Sequence, residues 1–311
     1  MIKHGSNVNK ENEYEETPLF YTCISGNEKI VKYLIEHGAN INQKSCDGEG
    51  PLFYAYENGN INIVKFLIEH GADINERSKT GKQLLFDACD DENEEMVKVL
   101  VKYDANLNVE NNRKETPIFN ACRRGNENIV KYLIEHRADF NKEDDMGDTI
   151  LSRACENGNE HLVKYLIELG LDINKSNKNN QTPIFYAFKS KNNNLIKWLV
   201  EIGANLNKEN YEIETPLLIA CSSDNESLVK YFIKNGADIN YINRYGEIPL
   251  FNACRNGNIS IVKYLIELET DINQKNIKYE TPLFMACIKG NEKNSKILNK
   301  TWRRYKSRNI Y

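Results

Sequence analysis

The chain has 311 residues, a mass of 36.0 kDa and a formal net charge of −4 from 41 basic and 45 acidic side chains. That length allows about two globular domains. Hydrophobic residues at 40% and charged residues at 28% exclude a disordered tail, and apolar runs such as Tyr33-Leu34-Ile35, none longer than six residues, are too short for a bilayer. The charge balance argues against a dedicated nucleic-acid binder, and without a basic stretch followed by an apolar one at residue 1 no secretory signal is expected. Asn reaches 44 residues beside abundant Lys and Ile, which reads as coding bias more than chemistry.

The seven prolines fall at 18, 51, 117, 183, 216, 249 and 282, so every gap is 33 residues or a multiple of it. A fixed period of this size is the mark of a repeat architecture. Nine copies follow, starting near 17, 50, 83, 116, 149, 182, 215, 248 and 281, after a partial copy over 1–10. In the first, Thr17-Pro18 predicts an N-cap followed by a first helical position, with the hydroxyl taking an orphan amide. Leu19, Thr22 and Cys23 give a short helix one buried face, and Gly26 ends it in the left-handed region. Asn27 caps a second helix, and Asn stands at this place in all nine copies. Ile30, Val31, Leu34 and Ile35 form one face at helical period. Gly38 stops the helix, and a polar Gly/Asn-rich stretch reads as a protruding turn or hairpin.

Two such helices cannot bury their apolar faces alone, so each copy must stack on the next. The expectation is one elongated array over 1–298 and a basic, divergent tail over 299–311. Copy three, with Gln83-Leu84 for Thr-Pro and Glu92 for Gly, and copy six, with Lys191 for Gly, are expected to be least stable. Asp224 replaces the same glycine in copy seven.

The 33-residue period, the Thr-Pro-Leu core and endings such as Gly71-Ala72-Asp73-Ile74-Asn75 resemble ankyrin repeats. The resemblance implies an all-α repeat solenoid of helix pairs with protruding β-turn or hairpin loops. It implies protein binding on the concave side and no catalysis. The family's usual His after Thr-Pro-Leu is here Phe20, Phe53, Phe86, Phe119, Phe185, Phe251 or Phe284, with Ser152 and Leu218 as exceptions. Ring stacking between copies is expected to replace its hydrogen bonds. Asn at 42, 75, 108 and their equivalents is expected to fix its turn; the resemblance implies that it can be hydroxylated.

Seven of the eight cysteines share one phase on the first helix and read as small buried hydrophobes, with Cys46 in a turn as the exposed one. Adjacent copies would hold them ~8–10 Å apart, too far for a bridge. His4, His37, His70 and His136 share the end of the second helix, where they interact with its C-terminus. The Lys repeated at 32, 65, 98 and onward is matched by Glu four residues away. No phosphate loop, dinucleotide fingerprint, zinc motif or nucleophile elbow is present. Neither an enzyme nor a metal or cofactor site is expected.

Binding is expected where the copies differ, on the first helix. The candidates are Tyr21, Tyr54, Asp87, Asp90, Asp91, Arg123, Arg124, Arg153, Tyr186, Lys189 and Arg255. Exposed Tyr and Arg are common hot-spot residues, and an acidic step at Asp87, Asp90 and Asp91 beside a basic one at Arg123, Arg124 and Arg153 suggests a partner of reversed charge order. The run from Lys300 to Arg308 is the sole hint of nucleic acid, against a polar cap, a disordered end or a truncated gene. The reading is a non-catalytic, monomeric scaffold, cytosolic or nuclear and not membrane-bound, for a protein or peptide partner. The alternative is a recognition or targeting arm, of ubiquitin-ligase adaptor or effector type, of a larger protein.

Overall fold

The structure, a computed structural model, describes residues 6–79, 81, 83–223 and 225–308, with side chains as far as Arg303. His4 and Asp224 lie outside the described residues. Each copy forms two short helices. The first of each pair are α1 (Pro18–Ile24), α3 (Pro51–Glu57), α5 (Leu84–Asp90), α7 (Pro117–Arg124), α9 (Ile150–Asn157), α11 (Pro183–Ser190), α13 (Pro216–Ser222), α15 (Pro249–Asn256) and α17 (Pro282–Ile288). The second are α2 (Glu28–Glu36), α4 (Ile61–Glu69), α6 (Glu94–Lys102), α8 (Glu127–Glu135), α10 (Glu160–Glu168), α12 (Asn193–Glu201), α14 (Glu226–Lys234), α16 (Ile259–Glu267) and α18 (Glu292–Arg308). The chain divides into two compact units, Met1–Ala154 and Cys155–Tyr311, with the division inside α9. Among the described residues there is no strand, only an isolated bridge between Glu143 and Thr149.

The helix ends follow from the repeated residues, with one correction. Pro opens seven of the first helices, where its missing amide would have had no helical partner. The preceding Thr hydroxyl caps α13 and α17 but not α1, α7 or α11. In those three the amide three residues on donates to the Thr carbonyl, as Phe20 does to Thr17 at 3.1 Å, and the buried hydroxyl has no partner. Asn27, Asn60, Asn93, Asn126, Asn159, Asn192 and Asn225 cap the second helices as expected. Asn258 makes no such cap; its amide donates instead to the carbonyls of Cys221 and Ser223. Gly26 has φ 68°, and Glu92 (56°) and Lys191 (58°) are held in the same left-handed region, a cost of about 1 kcal/mol for a residue with a Cβ. Each cap His sits on the ring four residues before it: His37, His70 and His136 bond the carbonyls of Tyr33, Phe66 and Tyr132 at 2.7–2.8 Å.

Stacking buries the apolar faces. Within each unit first helices pack on first helices, as α1 on α3 and α13 on α15, and second on second, as α6 on α8 and α14 on α16. Leu19, Phe20, Cys23, Val31 and Leu34 are buried, as are most of their equivalents. The motif phenylalanines Phe20, Phe53, Phe119 and Phe251 are fully buried, yet they do not form the expected ladder of rings. Among the described residues Phe20 meets Tyr54 edge-on at 5.1 Å, and no ring contact joins two motif phenylalanines. On the second helices Lys32, Lys164, Lys197 and Lys230 each lie over the ring of the next copy, Phe66, Trp198, Tyr231 and Tyr264, at 5.2–5.7 Å. The Glu pairs expected for this lysine row occur at Lys98, Lys131, Lys230 and Lys296.

The recurring Asn does more than fix its own turn. The Asx turn belongs to the residue two before it: Asn40 accepts from the Asn42 amide and Asp73 from that of Asn75. Asn42 then reaches into the next copy, donating to the Gly71 carbonyl and accepting from the Asp73 amide, both at 2.9 Å. Asn9, Asn174 and Asn207 repeat this two-bond staple. The cysteines correct a second expectation. All eight are free; Cys46 is half-buried, and the exposed one is Cys287. Phe284 is likewise 50% exposed, because no further first helix covers α17 among the described residues. Finally, α18 runs unbroken from Glu292 to Arg308, across the boundary expected at 298.

Candidate partner-binding surface

Ahead of every Thr-Pro position stands a residue that is acidic in seven copies: Glu16, Glu49, Glu115, Asp148, Glu214, Glu247 and Glu280. It is brought to the first-helix face by a second Asx turn. Asn111 accepts from the amides of Arg113 and Glu115, and Asp144, Asn177, Asn243 and Asn276 do the same in their copies. This carboxylate row escaped the sequence reading. Its signal was present, since Glu-Thr-Pro recurs at the same period as the proline.

The row is what most of the candidate residues touch. Tyr21 and Tyr54 both reach Glu16, at 2.6 and 3.2 Å. The Tyr21 hydroxyl, ahead of the opposing effect of burial, holds the Glu16 carboxyl below its ordinary pKa, and burial pushes Tyr54 up to about 12. Arg123 donates to Glu115 at 2.5 Å and to Asn120 at 3.1 Å. Arg255 makes the same pair of bonds to Glu247 and Asn252, at 2.6 and 2.9 Å. Arg153 lies among Asp144 (2.7 Å), Asp148 (3.3 Å) and Glu115 (3.6 Å). Burial works against its charge, but the three carboxylates outweigh burial and raise its pKa.

Two of the candidates are therefore withdrawn from the surface, Tyr186 buried and Arg153 half-buried. The Arg153 side chain is only 14% exposed, and Tyr186 is 4% exposed with its hydroxyl against Asn177 and Gln181. Both point back at their own preceding turn rather than outward. The acidic and basic steps are also not separate patches. Arg124 grips Asp90 with two bonds, Nε to Oδ1 at 3.1 Å and Nη2 to Oδ2 at 2.7 Å, so the two steps neutralise each other across adjacent copies. Hydrogen bonding to that guanidinium, ahead of the opposing effect of burial, lowers the Asp90 pKa. Asp91 accepts from the Tyr56 hydroxyl. Lys189 pairs with Glu156 at 3.0 Å and covers the Tyr186 ring.

What the structure does bring together in the unit Met1–Ala154 is a polar groove of about 390 Å³. Asp87, Asp90 and Asn120 form its helical side, and Gly81, Asn111, Asn112 and Arg113 its turn side, with Glu115 and Arg123 between them. Arg113 is exposed and its guanidinium has no carboxylate partner among the described residues. Among the described residues no three His, Cys, Asp or Glu side chains cluster in a way that could hold a metal ion. No helix there is long and apolar enough to cross a membrane.

A helix pair every 33 residues, second helices capped by Asn, and copies stapled through their turns are the marks of a repeat architecture. The family model for ankyrin repeats (three copies) matches residues 1–78, 84–177, 138–210, 169–243 and 208–276. The chain belongs to the ankyrin-repeat family. Among solved structures it is similar to the crystal structure of the human ASB11 ankyrin repeat domain, with 26% identity and a TM-score of 0.62. That match covers 72% of this chain and 99% of the other. No curated protein matches the chain. Ankyrin repeats are in general protein–protein interaction modules and are typically non-catalytic.

Proposed function

We propose that the chain is a non-catalytic scaffold that binds a protein or peptide partner along its first-helix face and turn tips. The observation that supports this reading is the groove between α5, α7 and the turn before α7. It is open and lined by Asp87, Asp90, Arg113 and Arg123, with the Arg113 charge at its rim unneutralised by any described carboxylate. Mixed charge favours a polar peptide over an apolar small molecule, whose pockets are mostly lined by hydrophobic side chains. Rim charges set association rate and register more than affinity.

Affinity capture with the unmodified chain and with an Asp87→Lys, Arg113→Glu variant tests the reading. The expected result is a protein retained by the first and lost by the second. Equal retention by both would place the contact away from the groove.

A further inference from the structure

The unit Cys155–Tyr311 carries a second surface of different chemistry at its turn tips. Three successive tips precede α13, α15 and α17, over 208–214, 241–247 and 274–280. They are chained to one another. Arg244 donates to the Tyr211 carbonyl at 3.0 Å, and the Ile277 amide donates to the Tyr245 carbonyl at 2.9 Å. Along this edge Tyr211, Tyr245, Ile277 and Tyr279 are all exposed. The equivalent tips of the unit Met1–Ala154 are more mixed, with Asp47, Lys79, Arg113 and Asp145 beside the exposed Tyr14 and Met146.

These aromatic residues do no work for the turns. The Asx bonds of Asn210, Asn243 and Asn276 already shape them. Tyr211 and Tyr279 make no side-chain hydrogen bond among the described residues. Tyr279 is moreover held at φ 62°, where the copy before it uses Gly246. Ile213 occupies the same conformation at φ 69° but is 5% exposed, so burial offsets its strain. Tyr279 is 80% exposed, so burial does not offset its strain, as it does not for the exposed Glu15 (63°) and Lys114 (59°) at the same place in other copies. Beside the aromatic residues stand Arg244, Lys275 and Lys278, exposed and without a carboxylate partner among the described residues. Glu212 is the exposed acid at the far end of the strip.

We propose that this strip docks a protein segment in which apolar side chains alternate with Asp and Glu, its most acidic part lying over Lys275 and Lys278. Tyr and Arg presented together are the side chains that dominate binding energy at protein interfaces, and the unpaired cations select the sign of the partner. The strip rests on the interaction reading only in taking a protein as its partner, and it lies in a different unit from the groove.

The test uses the full chain and a fluorescein-labelled peptide alternating Glu with Leu and Phe. A Lys-for-Glu peptide and vesicles of phosphatidylcholine with phosphatidylserine serve as the other probes. The acidic peptide should bind at least about tenfold more tightly than the basic one. Tyr245→Ala with Tyr279→Ala should weaken it about tenfold, equivalent to ~1.4 kcal/mol, and Lys275→Glu with Lys278→Glu should remove its salt dependence. Tyr279→Gly should raise the melting temperature while weakening the peptide, a combination that a structural role for the ring would not give. The Asp87→Lys, Arg113→Glu variant should bind the peptide normally even if the groove reading fails. Equal binding of both peptides, indifference to the tip substitutions, or tip-dependent binding of vesicles in place of the peptide would each overturn the proposal.

Discussion

Copies eight and nine are close in sequence and differ in what surrounds them. Pro249-Leu250-Phe251-Asn252-Ala253-Cys254 and Pro282-Leu283-Phe284-Met285-Ala286-Cys287 form first helices with the same start. Phe251 and Cys254 are fully buried, whereas Phe284 and Cys287 are exposed. In the second helices Ile261 is fully buried, and its counterpart Asn294 is equally buried with neither amide atom bonded. The lesson is that a repeat's letters set its helices, and its neighbour sets its burial.

The largest contrast is expected in thiol chemistry. Burial pushes the Cys254 thiol up to about 12, so a maleimide should modify Cys287 at least about a hundredfold faster than Cys254 in the folded chain. Equal rates would mean that α15 is not covered by α17. The next contrast is energetic. Phe251→Ala should lower stability by about 3–5 kcal/mol and Phe284→Ala by less than ~1.5 kcal/mol in urea unfolding. Similar values would show the two ends of this pair to be packed alike.

The second helices sharpen the comparison. Asn294→Ile should stabilise the chain by roughly 1–3 kcal/mol, because it removes a desolvated amide and restores the apolar side chain of copy eight. Ile261→Asn should do the reverse. Loss of stability from Asn294→Ile would point to a bonded role for that amide. The smallest effect is an ion pair. Arg255 meets Glu247, and in copy nine the same two places are held by the exposed Ile288 and by Glu280. Ile288→Arg should add no more than about 1 kcal/mol, screened by salt. A gain that persists in high salt would show that packing, not charge, is the source.

Most of the fold was legible in the chain. The proline period, Asn27 and its eight equivalents and the Val31–Leu34 face each report a local rule, and local rules act over a few residues. The candidate site was legible only in part. Arg123 and Arg124 were visible as charges, but their partners Glu115 and Asp90 lie 8 and 34 residues away. The sequence placed Arg153 and Tyr186 on the right helix positions and could not tell that both turn inward. The Thr17 hydroxyl was expected to cap a helix and does not, because a carbonyl competes for the same amide.

Period, helix ends, capping residues and family membership were thus determined by the sequence itself, since each depends on backbone conformations and side chains close along the chain. Tertiary structure decided which charges cancel, which tyrosines are buried, and that Tyr211, Tyr245, Ile277 and Tyr279 share one exposed edge. Those outcomes depend on the stacking of one copy on the next, which brings together residues about 33 positions apart and decides what water still reaches.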